Sequence, residues 1–185
     1  MEQKHRTKKN LISVLIISLS LLSFINNYRS EYPIPTRSKK LLFYIQRNLN
    51  KNTIIYDAKF DNNGFLIKDN PIDVYWIEYE KNGHKLELGK IEKTYAYGVK
   101  CSKSAGYKDE YKVKLVADEK RSFILKQVAP FKASIYTIIN NKLSQLDHLF
   151  IHADNSGLWP EVKYIELFGK EIVTGNKIYE KINQL

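Results

Sequence analysis

From Leu41 onward, apolar and polar residues alternate with a period of two, most clearly over residues 54–60 and 111–118. Side chains of a strand point alternately to its two faces, so each of these segments is predicted to form a strand with one solvated face. Less regular runs, rich in the Tyr, Ile, Val and Phe that suit a pleated surface, predict further strands. They cover residues 42–47, 74–80, 122–127, 131–139, 145–152 and 162–168.

Clusters of Asn, Asp and Gly separate these runs, at residues 61–64, 81–83, 140–141, 154–157 and 174–176. Such residues tolerate positive φ and are typical of tight turns. About eight short strands at this spacing predict a mainly β domain, either an antiparallel barrel or a sandwich, with one or two short helices. One helix is expected within residues 86–99, where Leu88, Ile91 and Tyr95 have helical spacing and Gly89 and Gly98 oppose it. The tail over residues 177–185 fits either helix or strand.

The N-terminus has the form of an export segment. Lys4, Arg6, Lys8 and Lys9 precede residues 11–25, which carry no charge. We therefore interpret residues 1–25 as a hydrophobic helix, serving either as a cleaved signal peptide or as an uncleaved membrane anchor through residues 11–25. Residues 26–40, with Pro33 and Pro35, are predicted to be an extended linker, and residues 41–185 a single domain.

The net charge of +10 does not indicate a nucleic-acid partner. Residues 1–40 hold eight Lys and Arg against two Glu, whereas the remaining residues hold 22 basic against 18 acidic. A nucleic-acid binder concentrates its positive charge on the folded domain. Cys101 is the only cysteine, so the chain has no internal disulfide and must be stabilised by its core.

His148, His152 and Asp154 share parity on a predicted strand, and Glu161 follows a turn. These side chains are candidates for a general base or a zinc site. The competing interpretation is a set of solvent-facing polar positions at a strand end. Four strand residues rise about 13 Å, too far for the two imidazoles to chelate one ion, so neither a metal nor a cofactor is predicted.

Two further groups are candidates for ligand binding. Lys100 and Lys103 flank Cys101 and would suit an anion, or would favour a nucleophilic thiolate; a loop with an incidental thiol is the alternative. Trp159, between Gly157 and Pro160, is placed to stack on a ligand or to cap the core. Trp76 is a candidate for ligand contact or simple core packing.

Four segments of the sequence together form a distinctive pattern: FYIQR at 43–47, NPIDVYWI at 70–77, YAYG at 95–98 and YIELFG at 164–169. Residues 41–185 resemble the bacterial family catalogued as domain of unknown function 4833. The resemblance implies a small exported protein with a signal segment. It implies no reaction or ligand, so no functional residues are carried over.

The sequence therefore predicts an exported β-domain protein, periplasmic or anchored on the outer side of the cytoplasmic membrane. Its expected activity is binding of a small ligand or of an envelope protein. The alternative is an envelope hydrolase or metal-assisted enzyme that uses the region of His148 and His152.

Overall fold

The computed structural model describes residues 32–107, 109–157 and 160–183. The chain divides into two units between Ile34 and Pro35, and the fold below is that of the second unit. The hydrophobic helix predicted over residues 1–25 lies outside the described residues. No helix within the described ranges has both the length and the apolar character needed to span a membrane.

The described residues form one branched sheet of eleven strands and a single short α-helix, α1 (Lys90–Tyr95). The strands are β1 (Leu41–Arg47), β2 (Asn50–Ala58), β3 (Ile72–Glu78), β4 (His84–Glu87), β5 (Val99–Lys103), β6 (Glu110–Leu115), β7 (Asp118–Ala129), β8 (Lys132–Ile139), β9 (Lys142–Asp154), β10 (Glu161–Glu171) and β11 (Lys177–Asn183). The mainly β prediction is confirmed, but the architecture is a curled half-barrel of eleven strands instead of a barrel or sandwich of eight.

Strand β9 organises the sheet because its partner on one edge changes along its length. Its first part pairs with β8 and its later part with β1, while β10 and then β11 follow on its other edge. Two wings therefore leave β9: a first wing, β1–β4, and a second wing, β5–β8. The β1–β9 pairing is parallel and every other pairing in the described sheet is antiparallel, a departure from the predicted all-antiparallel arrangement.

The two wings share one hydrophobic core on the inner face of the sheet. The ring of Phe43 on β1 stacks on Tyr56 of β2 at 4.1 Å between centroids. On its other side it lies parallel to Phe123 of β7 at 6.1 Å. All three side chains are almost completely buried, so Phe43 links the first wing to the second.

The predicted turns adopt the backbone that their residues favour. Positive φ occurs at Gly64, Asn82, Gly83, Asn140, Asn141 and Gly175, in four of the five predicted turns. Because β9 begins directly after Asn140 and Asn141, this chemistry fixes the β8–β9 hairpin and hence the register of the central strand.

Candidate functional site

A groove opens where β9 changes partner. The last β8–β9 pair is Tyr136 with Gln145, and the first β1–β9 pair is Tyr44 with His148. At Leu146 and Asp147, in between, the two wings diverge and leave a cavity of about 600 Å³. We call it the split groove; it is lined by residues 37–39, 41, 42, 44, 129–134 and 145–147.

The split groove has an apolar floor and a cationic rim. Leu42, Ala133 and Leu146 are buried at its base. Arg37, Lys39 and Lys132 line its rim and are exposed to solvent. This volume lies in the range of small-molecule sites, which combine an apolar lining with a few polar groups.

The positive charge at the rim is only partly compensated. Arg37 forms an ion pair with Asp147, with Nη2 2.7 Å from Oδ1. Among the described residues, neither Lys39 nor Lys132 has an ion-pair partner. The rim therefore presents two uncompensated ammonium groups beside an apolar surface.

Phe131 lines the groove in a conformation that bulky residues avoid, and its ring packs edge-on against Phe60 at 6.1 Å between centroids. It follows Pro130 in the two-residue turn between β7 and β8, and its φ is 57°. Its N–H donates to the carbonyl of Gly64 at 3.0 Å, and Gln127 Nε2 donates to the same oxygen at 2.7 Å. These contacts hold the turn although a left-handed backbone costs a non-glycine residue about 1 kcal/mol or more. Strain of this kind, with the ring 48% exposed, is typical of functional surfaces.

The chain matches the family described as Domain of unknown function (DUF4833) over residues 43–181. It belongs to that family. The family resemblance is thereby confirmed, and the matched stretch runs from β1 into β11 and includes most of the split groove. The chain has no match among curated proteins and none among solved structures.

In this DUF4833 domain, the predicted candidates His148 and His152 are packed against aromatic rings. His148 is 7% exposed and is stacked between Tyr44, at 4.9 Å, and Phe168, at 4.4 Å. Its Nδ1 lies 2.8 Å from Asp147 Oδ2. His152 stacks on Tyr164 at 4.5 Å. Both imidazoles thus have packing roles on the outer face of the sheet, and their participation in hydrolysis stays a prediction.

Asp154 and Glu161 lie opposite each other where β9 and β10 meet, with Lys163 beside both. Glu161 pairs with Lys163 at 2.8 Å, and Asp154 lies 4.0 Å from the same ammonium. The N–H of Ser156, which donates to Asp154 Oδ1 at 2.9 Å, lowers the pKa of Asp154. Within the described ranges, no three His, Cys, Asp or Glu side chains are arranged to hold a metal ion.

The candidates around Cys101 lie on β5, far in sequence from the groove segments. Burial raises the pKa of Cys101 to about 11, so its thiol is protonated at neutral pH and is a poor nucleophile. Lys100 is paired with Glu119, whereas Lys103 is exposed. Trp76 is 6% exposed and belongs to the core, although its edge reaches a second, smaller cavity. Trp159 lies outside the described residues.

Sequence reasoning did not identify Lys39, Lys132 or Phe131. The sequence places Lys39 in the predicted linker and Phe131 at the first position of a predicted strand. Pro130 was the only local signal, because proline at the first central position of a turn is often followed by a residue with positive φ.

Proposed function

We propose that this DUF4833 protein is an exported cell-envelope protein whose β-domain binds a small anionic ligand with an apolar portion in the split groove. The observation that carries the proposal is that the ammonium groups of Lys39 and Lys132 line the same cavity as the buried apolar side chains of Leu42 and Leu146. Ammonium groups at the rim attract the anionic head, and the buried floor receives the apolar part.

The volume sets the size of the ligand. A cavity of about 600 Å³ accommodates an alkyl chain of moderate length with its head group. The groove is open at its rim, where the cationic side chains are exposed, so the head group would remain in contact with water. A single-chain amphiphile with a carboxylate or phosphate head matches this arrangement.

The location in the envelope is supported by the N-terminal sequence. A basic stretch followed by the charge-free residues 11–25 is the form of an export segment. A domain delivered across the membrane meets lipids and acylated molecules with this chemistry. Recovery of the full-length chain as a soluble cytosolic protein would contradict the export.

The binding proposal is tested by calorimetric titration of the full-length protein with decyl phosphate below its micelle concentration. We expect saturable binding, and we expect the double variant Lys39→Gln/Lys132→Gln to bind about tenfold more weakly. Each exposed charge contact contributes up to about 1 kcal/mol, and tenfold in affinity corresponds to about 1.4 kcal/mol.

The matched control is Lys100→Gln/Lys103→Gln, which removes the same charge from β5 and should leave the affinity unchanged. Decyl maltoside and decyl trimethylammonium, which lack the anion, should bind much more weakly than decyl phosphate. Equal binding of all three amphiphiles would refute an anion-selective groove. A loss confined to the β5 variant would instead move the anion site to the segment around Cys101.

A second prediction concerns Phe131, whose replacement should affect ligand binding more than the stability of the fold. Phe131→Gly should leave the free energy of unfolding within about 1 kcal/mol of the wild type, because relief of the left-handed strain offsets the loss of a half-buried ring. The same variant should weaken decyl phosphate binding about fivefold, since the aromatic surface that lines the groove is lost. Urea unfolding and calorimetry measure the two effects.

Phe65→Ala is the control for this variant, because Phe65 is also about half exposed but does not line the groove. It should leave binding unchanged. If Phe131→Gly binds decyl phosphate as tightly as the wild type, the ring has no part in the site.

A further inference from the structure

A second cavity, of about 200 Å³, lies at the β1–β2 hairpin end of the inner face and shares no residue with the split groove. It is lined by Arg47, Asn52, Trp76, Glu78, Leu86 and Glu92. We call it the Arg47 cavity. Its lining carries both signs of charge, one guanidinium and two carboxylates.

Arg47 is held in one orientation in this cavity. Its guanidinium carbon lies 4.6 Å from the centre of the Trp76 ring, and Nη1 donates to the hydroxyl oxygen of Tyr97 at 2.7 Å. Its Nε is buried and has no hydrogen-bond partner in the described structure. A guanidinium has five N–H donors and the Tyr97 hydroxyl takes one of those on Nη1, so the remaining terminal N–H groups of this oriented side chain are suited to bind a carboxylate.

The two carboxylates of the Arg47 cavity, those of Glu78 and Glu92, differ in the hydrogen bonds and ion pairs that they form. Glu92 is occupied on both oxygens: Oε1 accepts from Trp76 Nε1 at 3.2 Å, and Oε2 accepts from the N–H of Gly89 at 2.9 Å. Glu78 is 9% exposed, and its one ion pair with another described residue joins Oε1 to the Lys81 ammonium at 3.0 Å. Glu78 therefore keeps the capacity to accept a second cation.

Arg47 and the carboxylates line one cavity without neutralising each other. Among the described residues, Arg47 forms no ion pair within 4.0 Å with either Glu78 or Glu92. Opposite charges that face a shared space and stay apart are complementary to a molecule that carries both charges itself. A small-molecule anion alone would satisfy Arg47 but would face the Glu78 carboxylate.

We infer that the Arg47 cavity binds a small zwitterion of the α-amino-acid class, with its carboxylate on Arg47 and its ammonium group on Glu78. A cavity of about 200 Å³ has room for a short amino acid and is smaller than the usual site for a drug-sized ligand. The inference is independent of the split groove, because it rests on a different cavity and a different ligand chemistry.

The test is calorimetric titration of the full-length protein with D- and L-alanine, propionate and ethylamine. At least one enantiomer of alanine should bind saturably in the millimolar range, and propionate and ethylamine at least tenfold more weakly. Arg47→Lys and Glu78→Gln should each weaken alanine binding at least tenfold, whereas the control Lys100→Gln should bind normally.

A third variant guards against loss of fold. Leu86 is 43% exposed on β4 at the edge of the cavity, so Leu86→Trp fills the space without removing either charge. It should abolish alanine binding while thermal unfolding stays at the wild-type temperature. The inference is overturned if neither enantiomer binds, if propionate binds as tightly as alanine, or if Leu86→Trp has no effect on binding.

Discussion

Replacing Phe43 with alanine is expected to lower the free energy of unfolding by about 3–5 kcal/mol, the usual cost of deleting a large buried aromatic side chain. Phe43 is 1% exposed and contacts Tyr56 in the first wing while facing Phe123 in the second. The substitution therefore leaves a void at the junction of the two wings. Since a domain is stable by only about 5–15 kcal/mol, the loss should be visible in urea unfolding followed by circular dichroism.

The same experiment reports whether the two wings are one cooperative unit. Because Phe43 packs against both, Phe43→Ala should shift a single transition to lower urea concentration without splitting it. Phe65→Ala, which truncates a half-exposed ring of the same type, should cost about 1 kcal/mol or less. Two separate transitions, or equal losses for both variants, would contradict a core shared between the wings.

The strands that sequence analysis identified are those with neighbours on both sides. The eight predicted runs correspond to β1–β3 and β6–β10, each of which pairs along two edges. Of the other three strands, β4 and β5 are not predicted, and β11 lies in the tail that fits either helix or strand; these three are the ends of the branched sheet. An edge strand buries less of its surface, so its apolar residues are sparser; all four residues of β4 are exposed. The alternation of apolar and polar residues arises because one face of a strand is buried, so the pattern is weaker in edge strands that bury little.

The split groove could not be predicted from the apolar pattern of the sequence, for a different reason. It is built from residues 37–39, 41, 42, 44, 129–134 and 145–147, which meet only because β9 pairs in parallel with β1 after leaving β8. The buried Leu146 and Leu149 of β9 are three residues apart, and Asp147 is the extra residue opposite Phe168 and Gly169. This break in the alternation marks a bulge, but it does not indicate which strand pairs with β9 beyond it. Long-range pairing decides such a site, whereas turn chemistry such as that of Asn140 and Asn141 is local and was predicted.

Gly98 illustrates a local signal whose meaning only the tertiary structure supplies. In the sequence it argues against a long helix over residues 86–99, and α1 indeed ends at Tyr95. In the fold, a Cβ atom added to Gly98 would overlap the carbonyl oxygen of Lys93 and lie 2.8 Å from its carbon. The chain can therefore turn back over the end of α1 only if this residue has no side chain.

Gly98→Ala is accordingly expected to destabilise the domain by about 3 kcal/mol, at the upper end of the cost of overpacking, because one of two backbone segments must move. The carbonyl of Gly98 accepts from the N–H of Val116 at 3.0 Å, which resists that movement. The neighbouring Tyr97 would be displaced, and with it the hydroxyl that holds Arg47. Urea unfolding should show the loss, and alanine binding at the Arg47 cavity should weaken in the same variant.

Gly89→Ala, at the other end of α1, is the matched control. A Cβ atom there would meet only Glu92 Oε2, at an ordinary distance of 3.5 Å, so the expected change in unfolding free energy is below about 1 kcal/mol. Equal stability of the two alanine variants would mean that the turn after α1 relaxes freely. In that case the close approach of Gly98 to Lys93 would not be what fixes Tyr97 beside Arg47.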